Sequence, residues 1–220
     1  MNSLTNVYKR TYLFRFMLFL PTFLLLTSFL SSDGDKELKF GKKVPLTEEK
    51  MKNIDGSMMN LESLKKKNGL IVIFSCNTCP FVVGNEDFEG WEKQYNDLFD
   101  AAEKNNIGLV LLNSNEAKRD GDDSFEKMVG HAKNANYKMP YLVDKNSLLA
   151  DAYGAKTTPH VFVLNIDSKL IYKGSIDNIW DTKRTDTENY LYDAMAHLAS
   201  KKEMLNQDTP PRGCSIKRLK

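Results

Sequence analysis

With 220 residues the chain is long enough for one domain with a substantial core plus short appendages. Its 31 lysines and arginines against 29 acidic residues leave a formal charge of +2, which gives no electrostatic basis for binding nucleic acid or an acidic partner surface. The 3 cysteines are too few for a disulfide-stapled scaffold; two of them, Cys76 and Cys79, stand close together, which points to chemistry rather than architecture.

At the N-terminus, Lys9, Arg10 and Arg15 precede the uncharged run from Phe16 to Leu30, built largely of phenylalanine, leucine and methionine. A basic stretch followed by an apolar one is the layout of a secretory signal. The run is shorter than the roughly 20 residues of a bilayer-spanning helix, although Leu13 and Phe14 extend it toward an uncleaved anchor. Residues 1–32 therefore read as a signal peptide or an N-terminal membrane anchor, with any membrane attachment through residues 13–30. Either way the rest of the protein is expected outside the cytoplasm, periplasmic or secreted.

Asp33 to Glu49 is charged and weakly patterned, an extended lead-in. Met51 to Ile54 before Asp55-Gly56 predicts a short strand and turn, and Leu61 to Lys67 a short helix. Leu70 to Phe74 is apolar at every position, as expected of a central strand covered on both faces. It runs through Ser75 into Cys76-Asn77-Thr78-Cys79. Beyond it, Phe88, Trp91, Tyr95, Leu98, Phe99 and Ala102 recur at three- and four-residue spacing and predict one long amphipathic helix from Phe81 to Lys104.

A second buried strand is predicted over Ile107 to Leu112, then a helix behind Asp123-Ser124 with Phe125, Met128, Val129 and Ala132 on its apolar face. Tyr141 to Val143 reads as a short strand, and Ser147 to Tyr153 as a helix closed by Gly154. Val161 to Leu164 and Leu170 to Tyr172 flank Asp167-Ser168 as a hairpin, and Thr187 to Ser200 forms a last helix. The segment from Asn206 on, with Pro210-Pro211-Arg212-Gly213, has no core pattern and reads as irregular. Strands alternating with helices, then a hairpin and a helix, give an α/β sandwich with a mixed central sheet.

A cysteine between a buried strand and a helix N-terminus stands where amide groups and the helix dipole favour a thiolate. Cys76 holds that place as the nucleophile, and Cys79 is within reach to resolve a mixed disulfide formed on it. Half of a zinc site has the same spacing, but no second such pair is present; a static disulfide here would close too small a loop to stabilise much. Pro80 cannot donate to the carbonyl of Cys76, so it is either a first-turn proline without consequence or a device that delays the regular helix.

Thr157-Thr158-Pro159 opens a strand, a poor place for proline outside an ordinary turn unless its peptide bond is special. Strand, Cys-x-x-Cys, helix, strand, helix and Thr-Pro before a hairpin and last helix resemble the thioredoxin superfamily. That resemblance implies a three-layer α/β sandwich, a cis bond at Thr158-Pro159 facing the dithiol, and backbone hydrogen bonds from Thr158 to a substrate strand. The long interval from Cys79 to Pro159 is similar to the redoxin, or alkyl hydroperoxide reductase/thiol-specific antioxidant, branch with its extra strand and helix. Closer still are bacterial redoxin-like proteins with a Cys-Asn-x-Cys-Pro-Phe site, a Tyr-Gly-Ala-x-x-Thr-Pro segment and a Gly-Cys-Ser-Ile-Lys tail, matched here by Cys76 to Phe81, Tyr153 to Pro159 and Gly213 to Lys217. The implied domain spans residues 33–205, with an irregular tail at 206–220 carrying Cys214.

Departures from the relatives narrow the chemistry. Peroxiredoxins carry a threonine three residues before the peroxidatic cysteine and an arginine at the hairpin entrance; here Ile73 and Thr158-Pro159 occupy those places. The buried carboxylate of the thioredoxin strand has no counterpart in Leu70 to Ser75, which leaves the general base unassigned, and Thr78 stands where many relatives have histidine.

The leading reading is a thiol-disulfide oxidoreductase with Cys76 and Cys79 catalytic, Thr158 and Pro159 binding substrate, and no cofactor or metal. Its partners would be protein thiols or disulfides and an external electron donor or acceptor. The alternatives are a thiol-dependent peroxidase and a Cu(I) carrier using Cys76, Cys79 and His160. His160 otherwise reads as a solvent-facing strand residue, and His131 and His197 as helix-surface residues. Cys214 reads as an unpaired tail thiol, an intermolecular cross-link, or an accessory resolving thiol.

Overall fold

The structure, a computed structural model, describes residues 38–219. The signal or anchor expected within residues 1–32 lies outside the described residues. Among those described, no helix is long and apolar enough to cross a membrane.

Strand β1 (Met51–Asn53) turns at Asp55, whose carboxylate accepts from the Ser57 amide at 2.8 Å, into β2 (Met58–Met59). Helix α1 (Leu61–Leu64) starts on Asn60, whose side chain accepts from the Ser63 amide at 2.8 Å. It ends earlier than the predicted Lys67, because Lys65 is extended and Lys66 pairs with Gly69 at the mouth of the next strand. There follow β3 (Gly69–Ser75), α2 (Pro80–Val83), α3 (Tyr95–Lys104), β4 (Ile107–Asn113), α4 (Phe125–Asn134), β5 (Tyr141–Val143) and α5 (Leu148–Tyr153). The chain closes with β6 (Thr157–Thr158), β7 (His160–Leu164), β8 (Leu170–Gly174), α6 (Tyr190–Ser200) and β9 (Cys214–Ser215).

Seven strands form one mixed sheet in the order β2-β1-β5-β4-β3-β7-β8, with β3 parallel to β4 and antiparallel to β7. Alternation along its central strands divides the core in two. Ile71 and Ile73, Leu109 and Leu111, Val161 and Val163 face Leu98 of α3, Met128 of α4 and Leu191 of α6. Leu70, Val72, Phe74, Val110, Leu112 and Phe162 face Leu61 of α1 and Leu149 and Tyr153 of α5. The result is the expected thioredoxin-like three-layer α/β sandwich. Between β4 and β7, the segment carrying α4, β5 and α5 supplies the strand and helix of the redoxin type.

The single long helix predicted from Phe81 to Lys104 is not formed. Helix α2 stops after one turn at Gly84, and a loop leads through Gly90 to a 3₁₀ turn at Trp91–Gln94 ahead of α3. Both glycines have positive φ, 92° and 77°. A Cβ on Gly90 would sit 2.3 Å from the Gly84 nitrogen, so the two ends of the loop touch. Asn85 braces the bend by accepting from the Asp87 and Phe88 amides at 3.0 and 2.8 Å. The apolar spacing that imitated one helix arises because Phe88 and Trp91 pack on Phe81, and on each other, across this loop.

The segment from Asn206 on lies against the domain. Thr209 is buried, its amide donating to the Lys173 carbonyl at 3.1 Å and its hydroxyl accepting from the Ser175 amide at 3.0 Å. Further along, β9 pairs antiparallel with β6, Cys214 opposite Thr158 and Ser215 opposite Thr157.

Candidate active site

Strand β3 is buried along its whole length and delivers Cys76 at its C-terminal end, beside the end of β4. The four residues Cys76 to Cys79 precede the helix rather than lie in it: Cys79 is extended at the cap position and Pro80 is the first residue of α2. Proline costs no hydrogen bond there, and regular helix begins only after the dithiol.

Thr158, next to the cis Thr158-Pro159 bond, contacts both sulfurs. Its Oγ1 is 3.1 Å from Cys76 Sγ, and its carbonyl oxygen lies 3.1 Å from Cys79 Sγ, where the thiol donates to it. The segment before Pro159 thus faces the dithiol, brought there by antiparallel pairing of β7 with β3, His160 opposite Phe74. Cys214 joins them from the tail. Its amide donates to Cys79 Sγ at 3.3 Å. Cys76 is 1% exposed and Cys79 4%, while Cys214 is half-buried. All three are free thiols.

The proton between Cys76 and Cys79 is unevenly shared. The Cys76 thiol, the Cys214 thiol and amide, and the Phe81 amide converge on Cys79 and hold it down to about 5 against the opposing effect of burial. Contact with Cys79, then burial, pushes Cys76 well above the usual thiol range, with the Asp123 charge adding to the rise. Burial and the neighbouring Cys79 raise Cys214 to about 11. With the tail seated, Cys79 is therefore the first of the three to ionise.

The middle of the motif is clamped from below. The Asn77 amide donates to Asp123 Oδ1 at 2.9 Å, its side-chain nitrogen to the Asp122 carbonyl at 2.9 Å, and its side-chain oxygen accepts from Tyr141 Oη at 3.0 Å. Asp123, fully buried, also accepts from Asn113 at 2.7 Å and Asn115 at 2.9 Å. This carboxylate stands near the dithiol from the loop before α4 rather than from β3. Its only local signal is Asp123-Ser124 ahead of an apolar run, which marks the cap; Ser124 does that work, accepting from the Lys127 amide at 3.3 Å. The three asparagines that hold Asp123 are scattered over 38 positions between Asn77 and Asn115, so no window of sequence displays the cluster.

His160 is 4% exposed, not solvent-facing as expected from the strand pattern. Its Nδ1 accepts from the Lys156 amide at 3.1 Å, its ring packs on Phe162, and burial, then Lys173 and Lys156, depress it to about 3. Among the described residues no group of three or more His, Cys, Asp or Glu side chains is placed to hold a metal ion, so Cys76, Cys79 and His160 do not assemble into the set considered for Cu(I). His131 is half-buried and bonded to Glu92. Trp91 lies in the core and donates from Nε1 to Asp177 at 2.7 Å.

A family model described as Redoxin matches residues 39–191. No curated protein matches the chain. Among solved structures, it is similar to an uncharacterized conserved protein from Geobacillus kaustophilus, at 27% identity and a TM-score of 0.73 over 84% of this chain and 94% of that one. It is also similar to a hypothetical protein from Sinorhizobium meliloti, at 25% identity and 0.72 over 83% and 96%. A peroxidoxin from Mycobacterium tuberculosis shares the fold, with a TM-score of 0.53 at 16% identity over 76% of this chain and 100% of that one.

Proposed function

The chain belongs to the redoxin family, and on that premise we propose that it is an extracytoplasmic thiol-disulfide oxidoreductase acting on protein substrates through Cys76 and Cys79. The observation that carries this reading is the placement of Thr158 against both sulfurs, with its hydroxyl on Cys76 and its carbonyl on Cys79. A static disulfide needs no such partner, whereas an exchange site needs one sulfur held as an acceptor and the other as a donor. The basic and apolar N-terminal segment supports placement outside the cytoplasm.

The chemistry follows from the donors. When an incoming substrate strand displaces the tail from Thr158, Cys79 loses the amide and thiol of Cys214. The shared proton then rests on Cys79, which donates to the Thr158 carbonyl, and Cys76 becomes the thiolate, stabilised by the Thr158 hydroxyl, the Thr78 amide and the Cys79 thiol. Cys76 attacks a substrate disulfide, forming a mixed disulfide and releasing one substrate thiolate. Cys79 then gives up its proton and attacks Cys76 Sγ, the mixed disulfide breaks, and the second substrate sulfur leaves as a thiolate that takes up a proton while Cys76–Cys79 forms. An external dithiol donor restores the reduced pair, and the reverse sequence oxidises a substrate.

The test is capture of partners on a Cys79→Ser variant, joined to a redox titration of the native pair. The expected results are Cys76-dependent covalent adducts with proteins and a potential between about −270 and −120 mV, the thioredoxin and DsbA values. A Cys76 that captures nothing, in a pair that never cycles, overturns the reading. Peroxide consumption dependent on Cys76 would instead mark the peroxidase alternative, which the absence of the peroxiredoxin threonine and arginine disfavours.

A further inference from the structure

Three cysteines meet around Thr158: Cys76 Sγ lies 3.1 Å from its hydroxyl, Cys79 Sγ 3.1 Å from its carbonyl oxygen, and the Cys214 amide donates to Cys79 Sγ at 3.3 Å. The third is held there by built contacts. β9 pairs with β6, the Ile216 amide donates to the Lys156 carbonyl at 3.1 Å, and the Lys217 amide donates to Asn115 Oδ1 at 2.8 Å. Ile216 is buried in the core on the α5 face of the sheet. Gly213 lies so close to Thr158 that a Cβ there would sit 2.1 Å from its carbonyl oxygen.

We propose that Cys214 is a second resolving thiol, which takes Cys79 from Cys76 so that the chain passes from a Cys76–Cys79 to a Cys79–Cys214 disulfide. This rests on the dithiol reading above. The step is an exchange without net redox change. Cys214 gives up its proton and attacks Cys79 Sγ; the Cys79–Cys214 bond forms, the Cys76–Cys79 bond breaks, and Cys76 leaves as a thiolate that takes up a proton. The disulfide moves from the two most buried sulfurs to one that includes the half-buried Cys214. A thiol donor then attacks Cys214, and Cys79 is expelled. Cys79 is the better leaving group of that pair, since its neighbours favour its thiolate and a low thiol pKa speeds departure. While the second disulfide lasts, the tail stays bonded across the Thr158 edge and closes it to substrate, which orders substrate turnover before re-reduction.

The test uses the full reduced chain and a Cys76→Ser variant, each exposed to glutathione disulfide, quenched in acid, alkylated and mapped by peptide mass spectrometry. The expected result is an internal Cys79–Cys214 disulfide in Cys76→Ser, at least tenfold more abundant than its glutathione adducts. In the unaltered chain, once oxidant is removed, Cys76–Cys79 should decline as Cys79–Cys214 rises with their sum constant. That time course needs no variant to fold. If Cys76–Cys79 forms but no Cys79–Cys214 linkage appears in either protein, the relay is overturned and the dithiol function stands. If the unaltered chain never forms Cys76–Cys79, the function proposed above fails and the relay falls with it.

Discussion

Two acids of different kinds govern the site at the scale of single residues. Cys79 is lowered to about 5 by its donors, while Cys214 is raised to about 11 and Cys76 further, so Cys79 is the first of the three thiols to ionise. The thiolate absorbance of the reduced protein should therefore begin to rise below the ordinary thiol value of about 8.5; a first rise at or above that value would contradict the assignment. Asp123 is the second acid. Asp123→Asn places an amide donor against the donors from Asn77, Asn113 or Asn115. It should cost about 2–3 kcal/mol in chemical denaturation. It also removes a negative charge that raises Cys76, so Cys76 should ionise at lower pH in the variant, an effect that loss of packing alone would not produce.

At the scale of elements, the tail strand acts as a cover. β9 occupies the Thr158 edge where the family resemblance places a substrate strand, and it leaves Cys76 and Cys79 almost without exposure. Gly213→Ala sets a methyl against the Thr158 carbonyl with no flexible side chain to yield. The cheap response is for β9 to lift. Alkylation of Cys76, the thiolate once the tail is lifted, should then accelerate about tenfold at neutral pH, as expected if roughly 1.4 kcal/mol of tail docking is lost. An unchanged alkylation rate in a folded variant would show that the tail does not limit access.

Across the whole molecule, stability depends on pH through groups the fold has desolvated. His160 is neutral in the folded chain down to about pH 3 but binds a proton near 6.5 when unfolded. Its contribution is complete above about 6.5 and is lost as pH falls toward 3, because the unfolded state then takes up the extra proton. Lowering the pH from 7 to 5 should cost about 2 kcal/mol from this group. The depressed Cys79 works in the same direction over part of that range, so the measurement is a comparison. The loss seen by urea denaturation should be about 2 kcal/mol smaller in His160→Gln, which retains an acceptor for the Lys156 amide. Equal losses in both proteins would place His160 in contact with water.

Local patterns were enough for the parts of this protein that obey local rules. Unbroken apolar runs marked β3 and β4, because a strand covered on both faces admits no polar side chain. The hairpin turn, the Ser124 cap and the last helix were equally legible, and Cys76, Cys79, Thr158 and Pro159 were marked by motif and order along the chain. What stayed hidden depends on contacts between distant residues. The break at Gly84 and Gly90 follows from two backbone ends touching, which a three-and-four apolar rhythm does not encode. The carboxylate beside the dithiol comes from a loop after β4, and the burial of His160 from packing against Phe162. Above all, only the tertiary structure decided the place of Cys214. A two-residue strand with no pattern of its own forms because β6 offers it a free edge, and that edge is the one that faces the sulfurs.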